Sequence, residues 1–228
     1  MSASEHVVRA ARRPAAPPLV ARRGAPYRWL TPGIWIGAFA PLAWILIRGF
    51  QGQLGANPIA EAMNELGLSA LVLLVASLAC TPARLLWGWT WPTRIRRDLG
   101  ILAFVYIVLH LLTYLVLDQV VDLGAIVADI AERPFITVGF TAFLLLLPLA
   151  LTSTKASIRR LGYKRWQRLH QLAYVAGALA VVHFFLRVKI DVSQPILYGL
   201  VLVALLGVRL AVWQIQRQSK RLANSPPA

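Results

Sequence analysis

Cysteine is almost absent. A single residue, Cys80, among 228 leaves no internal disulfide, no thiolate metal cluster and no CxxCH attachment site. Cys80 is read as a small buried hydrophobe. Acid is scarce too: nine Asp and Glu stand against 24 Lys and Arg, and only 14% of residues are charged. Walker, GxGxxG and EF-hand patterns are missing, which removes the familiar nucleotide and calcium sites. No repeat of roughly 20–50 residues runs through the chain. No long hydrophilic stretch exists that could fold into a separate nicotinamide-binding domain.

What remains is apolar. Hydrophobic residues make up 58% of the chain, more than a soluble domain of this length can hide, so lipid is the expected solvent. A bilayer core of about 30 Å needs roughly 20 apolar residues per helix. Six runs qualify: Gly33–Gly49, Leu66–Trp87, Leu99–Leu117, Ile136–Leu151, Leu169–Leu186 and Ile196–Trp213. They are nearly continuous, without the alternation of a membrane barrel. The predicted fold is an all-α integral membrane protein, a six-helix transmembrane bundle. Pro148 is expected to kink or end the short fourth span. Residues 1–28, rich in Ala, Pro and Arg, lack the apolar core of a signal peptide and are read as a disordered basic arm. Residues 29–215 form the transmembrane domain and 216–228 a tail.

Charge sets the expected orientation. The N-terminal arm, residues 84–97, residues 152–168 and the C-terminal segment carry 20 of the 24 basic residues. The intervening segments carry Arg48, Arg133, Arg187 and Lys189 with seven acids: Glu61, Glu65, Asp118, Asp122, Asp129, Glu132 and Asp191. Positive-inside bias places both termini in the cytosol, which requires an even number of spans. The +15 net charge is thus a matter of topology, and nucleic acid is not an expected partner. Trp29, Trp35, Trp87, Trp89, Trp91, Trp166 and Trp213 fall near span ends, where an interfacial belt would put them. The acidic outer loops are expected to dock a partner by charge complementarity.

Three of the four histidines lie inside spans. His6 is in the arm; His110 is in the third span, and His170 and His183 are in the fifth. A membrane-buried imidazole must be ligated or hydrogen-bonded, and imidazole is an axial ligand of haem iron. Helical rise of about 1.5 Å per residue places His110 roughly 20 Å, His183 about 27 Å and His170 about 8 Å from the basic end. His110 and His183 are the closer pair in depth, so they are the predicted bis-histidine site. His170 lies near Arg96, Arg97, Lys164, Arg165 and Arg168, whose cations suit haem propionates or a flavin phosphate. Arg187, one turn beyond His183, suits a propionate. Two bis-histidine haems need four histidines, so a second haem would have a non-histidine or open axial position. Tyr106, Tyr114, Trp166, Tyr174, Gly177 and Ala180 are candidate neighbours of the cofactor. No Asp, Glu or Lys occupies mid-span, which disfavours ion-coupled transport.

Five segments carry a family resemblance: LGANPIAEAMNELG (54–67), SLACTPARLL (77–86), RRDLGILAFVYIVLHLLTY (96–114), ERPFITVGFTAFLLLLPLALTS (132–153) and RLGYKRWQRLHQLAYVAGALAVVHF (160–184). Over about residues 30–215 the chain resembles the MsrQ (YedZ) family, haem-binding membrane subunits of bacterial periplasmic methionine-sulfoxide reductase systems. That family belongs with the ferric-reductase-like transmembrane domains. The resemblance implies one or two b-type haems, FMN, and residence in the bacterial inner membrane. It implies electron flow from the quinone pool or a cytosolic flavin reductase to MsrP, a periplasmic molybdopterin enzyme that itself performs the sulfoxide reduction. It also implies that His110, His170 and His183 are the intramembrane histidines of that family. The competing readings are a stand-alone cytochrome b of ferric-reductase type and a non-redox transporter or structural membrane protein.

Overall fold

The structure, a computed structural model, describes Tyr27 and residues 29–223. The basic arm expected over 1–28, including His6, lies outside the described residues except for Tyr27. The described residues form nine α-helices: α1 (Leu30–Phe50), α2 (Pro58–Trp87), α3 (Trp91–Leu112), α4 (Leu123–Glu132), α5 (Pro134–Leu151), α6 (Lys155–Leu161), α7 (Tyr163–Leu169), α8 (Leu172–Arg187) and α9 (Ser193–Ala223). The last turns of α3 widen into a π-helical segment, Thr113–Asp118. No strand occurs among the described residues. Among the described residues six helices are long and apolar enough to cross a membrane, with the fifth made of α7 and α8 together. This is the multi-pass helical architecture expected. The helix of the sixth span continues unbroken past residue 216.

The helix ends follow local chemistry. Asn57 caps α2, its Oδ1 accepting from the Ala60 N–H at 3.1 Å, and Pro58 takes the first turn, where its missing N–H costs nothing. Gly88, at φ 69°, ends α2 in the left-handed conformation that favours glycine. Asp122 caps α4 through the Gly124 and Ala125 N–H groups. Between α3 and α4 the chain reverses through Val120 and Val121, both at positive φ. That is a strained conformation for β-branched residues.

Lipid is as apolar as leucine, so these helices associate through packing and hydrogen bonds. A cluster of Leu74, Ala103, Leu146, Leu149 and Ala176 joins α2, α3, α5 and α8 at the centre. Of the apolar window in α2, 44% is buried inside the protein, against 6% in α9. So α2 is the hub, and α9 is a peripheral helix facing lipid. Ile36, Phe39, Leu200 and Val203 are each more than half exposed, a surface that only a bilayer satisfies.

The break at Pro82 is repaired by a side chain from another helix, and a second side chain enters the α1 ladder beside Pro41. Pro82 has no N–H to give the Leu78 carbonyl one turn earlier. The Arg209 guanidinium, from α9, donates to that carbonyl at 2.8 Å and also donates to the Tyr174 hydroxyl. Near Pro41, the Tyr106 hydroxyl inserts into the α1 ladder: it accepts from the Leu42 N–H at 3.2 Å and donates to the Ala38 carbonyl. Tyr106 and Tyr174 therefore spend their hydroxyls on joining helices, and Arg209 lies inside the bundle, not in the basic tail. Pro148 sits in the last turn of α5, which ends three residues later.

Candidate functional site

A cavity of about 660 Å³ opens toward the acidic ends of α2, α3, α5 and α8. That volume lies in the range of small-molecule and cofactor pockets, about 300–1,000 Å³. His110 and His183 line it from opposite walls. Their ring centres are 6.2 Å apart and their planes are nearly perpendicular, at 87°.

Each ring is anchored in the same way. The helices of the site pair as α2 with α3 and α5 with α8, and each pair supplies one imidazole. His110 Nδ1 lies 2.8 Å from the Met63 carbonyl oxygen on α2. His183 Nδ1 lies 2.6 Å from the Phe135 carbonyl oxygen on α5. A carbonyl only accepts, so both rings carry the proton on Nδ1 and direct the Nε2 lone pair elsewhere. Among the described residues neither Nε2 has a hydrogen-bond partner. Two metal–imidazole bonds of about 2 Å, with the distance from each nitrogen to its ring centre, come to about 6 Å. The observed separation therefore accommodates one metal ion between the rings. The anchoring carbonyls are the outer partners that metal-ligating histidines ordinarily have.

Arg187 lines the same cavity one turn from His183, as do Arg133, Glu65, Asp118 and Asp191. Tyr114 and Ala180 face it as well. Gly177 does not; a Cβ there would meet Leu78 at 3.3 Å, so it serves the close approach of α8 to α2. Asp191 is fully exposed at the start of α9. The Ser193 side chain and N–H bond its carboxylate and hold its pKa below the ordinary value, so it is negative at neutral pH.

His170 stands apart from this pair. It occupies the break between α7 and α8, with Nε2 3.1 Å from Thr152 Oγ1 and its ring 4.1 Å from that of Trp166. Trp166 in turn donates to the Thr152 carbonyl at 3.0 Å. Arg96 donates to Thr81 Oγ1 at 3.1 Å, while Arg97 is exposed. The basic end thus holds a polar cluster on the far side of the bundle from the opposed histidines.

The acidic loops differ from a free anionic surface. Asp129 is buried, accepting from Tyr114 at 3.2 Å, from Gln119 at 3.0 Å and from Arg133 at 3.0 Å. Glu61 and Glu65 both pair with Arg48. Asp122 is spent on its helix cap. Asp118, Asp122, Glu132 and Asp191 are the exposed acids of that set with no ion pair among the described residues. The helix α4 that carries Asp129 was expected to be loop, and it covers one wall of the cavity through Ile126 and Ile130.

Two features escaped sequence reasoning. Arg209 was grouped with the tail, although its place inside the run Ile196–Trp213 marked it as intramembrane. The Trp87–Trp89–Trp91 ladder, with ring centres 5.5 and 6.2 Å apart, was read as separate belt residues and not as one stack.

Comparison with known proteins identifies the family. Residues 66–181 match the family described as ferric reductase like transmembrane component. A Rhodospirillum rubrum protein is 52% identical over 188 residues, covering 82% of this chain and 90% of its own length. One from Deinococcus radiodurans is 52% identical over 191 residues, covering 84% and 94%. A third, from Azospira oryzae, is 54% identical over 162 residues, covering 71% and 70%. All three bear the name protein-methionine-sulfoxide reductase heme-binding subunit MsrQ.

Proposed function

The chain belongs to the MsrQ family of ferric-reductase-like membrane proteins, and from that membership we propose that it is the electron-carrying membrane subunit of a methionine-sulfoxide reductase system. Its substrate is the electron; the sulfoxide chemistry resides on a periplasmic molybdopterin partner, MsrP. The observation that carries the reading is the opposition of His110 and His183 at 6.2 Å across a cavity, with both Nδ1 groups engaged on carbonyls.

Haem b bound there would supply a one-electron carrier inside the bilayer. His110 and His183 would hold its iron through Nε2, and Arg187 would neutralise a propionate. The apolar walls would limit the access of water to the group, and the two carbonyl bonds hold the rings in place. At the basic end, His170, Arg96 and Arg97 are proposed to serve electron entry, either through FMN or through a second haem. Metal ligation by His170 would require its bond to Thr152 to be given up. The donor is proposed to be the quinone pool or a cytosolic flavin reductase.

The distribution of charge supports residence in the bacterial inner membrane with both termini cytosolic. Alkaline phosphatase fused after Ala228 is expected to be inactive, and fused within residues 119–121 to be active. The reverse pattern would overturn the orientation.

The function is tested on purified full-length protein. Pyridine haemochrome is expected to give one or two b-type haems per chain, and the dithionite-reduced protein is expected to reduce a purified periplasmic sulfoxide reductase. Haem without such transfer would indicate a stand-alone cytochrome b. Protein with no Soret band after expression with ample haem would rule out the redox function.

A further inference from the structure

We propose that Gly67 and Gly139 are positioning residues for the two axial histidines: each lacks a side chain so that an imidazole can seat on a helix carbonyl and aim Nε2 at the iron. The assignment rests on the haem-binding reading above.

Both glycines lie inside helices and neither has a positive φ, so no turn or backbone conformation calls for them. By helix propensity alone, alanine would be the better residue. What a Cβ would meet gives the reason. On Gly139 it would stand 2.6 Å from His183 Nδ1, 2.8 Å from Cε1 and 3.2 Å from Cγ. On Gly67 it would stand 3.1 Å from His110 Nδ1 and 3.2 Å from Cε1.

The register is the same at both sites. The carbonyl that receives His110 belongs to Met63, four residues before Gly67. The carbonyl that receives His183 belongs to Phe135, four residues before Gly139. In an α-helix that carbonyl already accepts the N–H of the residue four positions on, here the glycine. Its second lone pair is free. Side chains lean toward the helix N-terminus, so a residue at the glycine position would cover that very carbonyl. Glycine leaves the second lone pair open to a ring from the next helix.

The open carbonyl fixes two properties of each ligand. It holds the proton on Nδ1, and it sets the ring plane. It also makes Nε2 a stronger donor to the metal, which favours the oxidised iron. The geometry ranks the two positions. At Gly139 the backbone-borne Cβ would overlap the imidazole, with no flexible end to move. At Gly67 the ring has only a few tenths of an ångström to give.

Purified full-length Gly139→Ala, Gly67→Ala and Gly207→Ala proteins are compared by haem content, low-temperature EPR and redox titration. Gly207 serves as the control because a Cβ there meets nothing within 4 Å. Gly139→Ala is expected to lose most of the low-spin signal while remaining monodisperse and helical. Gly67→Ala is expected to keep its haem, with shifted g-values and a higher midpoint potential. Gly207→Ala should match wild type. Wild-type spectra and potentials in both Gly139→Ala and Gly67→Ala would overturn the assignment. So would aggregation of Gly139→Ala together with an unchanged potential in Gly67→Ala. A wild-type protein without low-spin haem would overturn the haem reading itself, and this assignment with it.

Discussion

Replacing His110 with alanine is expected to abolish a low-spin haem signal, and replacing His183 is expected to abolish the same one. The two rings face each other at 6.2 Å, so in the proposed function they would share one iron, and either loss would leave that iron with a missing ligand. Groups acting as a unit are not additive. The double variant His110→Ala with His183→Ala should therefore be hardly worse than either single change. The wild-type signal should also be of the highly anisotropic low-spin kind. Perpendicular imidazole planes, here 87° apart, leave the two iron d orbitals that interact with the rings nearly equal in energy. His170→Ala should spare this signal, because its Nε2 is bonded to Thr152 at the other end of the bundle. Its effect should instead fall on electron entry. Low-temperature EPR with haem quantification on the four variants decides the matter. Loss of the same signal in His170→Ala, with His183→Ala intact, would replace the pair by His110 and His170.

The second large effect is expected at Asp129, and it separates structure from steering among the outer acids. Asp129→Ala takes an acceptor from three donors, on Tyr114, Gln119 and Arg133, of which Gln119 keeps a second acceptor in Asp118 at 3.1 Å. Hydrogen bonds to a charged group contribute about 1.5–3 kcal/mol each. Arg133 is about half exposed, so its share is screened and small. One stranded donor, a second that keeps another acceptor, and a weakened ion pair should cost about 2–3 kcal/mol. The loss falls on the contact that ties α4 to the end of α3, over the cavity wall. Asp129→Ala should lower the thermal midpoint and loosen haem retention at any ionic strength. Asp118→Asn with Glu132→Gln should leave both unchanged and slow electron delivery to the acceptor at low salt only. Equal stability of Asp129→Ala and wild type would remove the structural role. Unchanged delivery by the Asp118 and Glu132 variant across a salt series would remove the steering role.

The neighbours of the histidines show why some side chains could not be placed beforehand. Tyr106, His110 and Tyr114 share one helical face by their spacing, yet Tyr106 is inserted into α1 and Tyr114 reaches Asp129. A helix of this bundle touches several partners along its length, so one stripe serves different neighbours at different depths. Likewise, the seven outer acids carry equal formal charge in the sequence. Which of them are consumed by Arg48, by a helix cap or by burial depends on the approach of α1 to α2 and on the unforeseen helix α4.

The sequence alone determined the solvent, the number of spans and the pairing by depth of His110 with His183. Each of these is a one-dimensional quantity: apolar length against bilayer thickness, charge against loop position, and rise per residue along a straight helix. The tertiary structure alone decided what meets across the gaps between helices. It put the Met63 and Phe135 carbonyls behind the two rings, Arg209 on the carbonyl freed by Pro82, and glycines where a single Cβ would displace a ligand. Those contacts depend on the rotation of each helix about its axis and on distances of a few tenths of an ångström. Such quantities are fixed by packing between residues far apart in the chain, and apolar runs that look alike to lipid do not encode them locally.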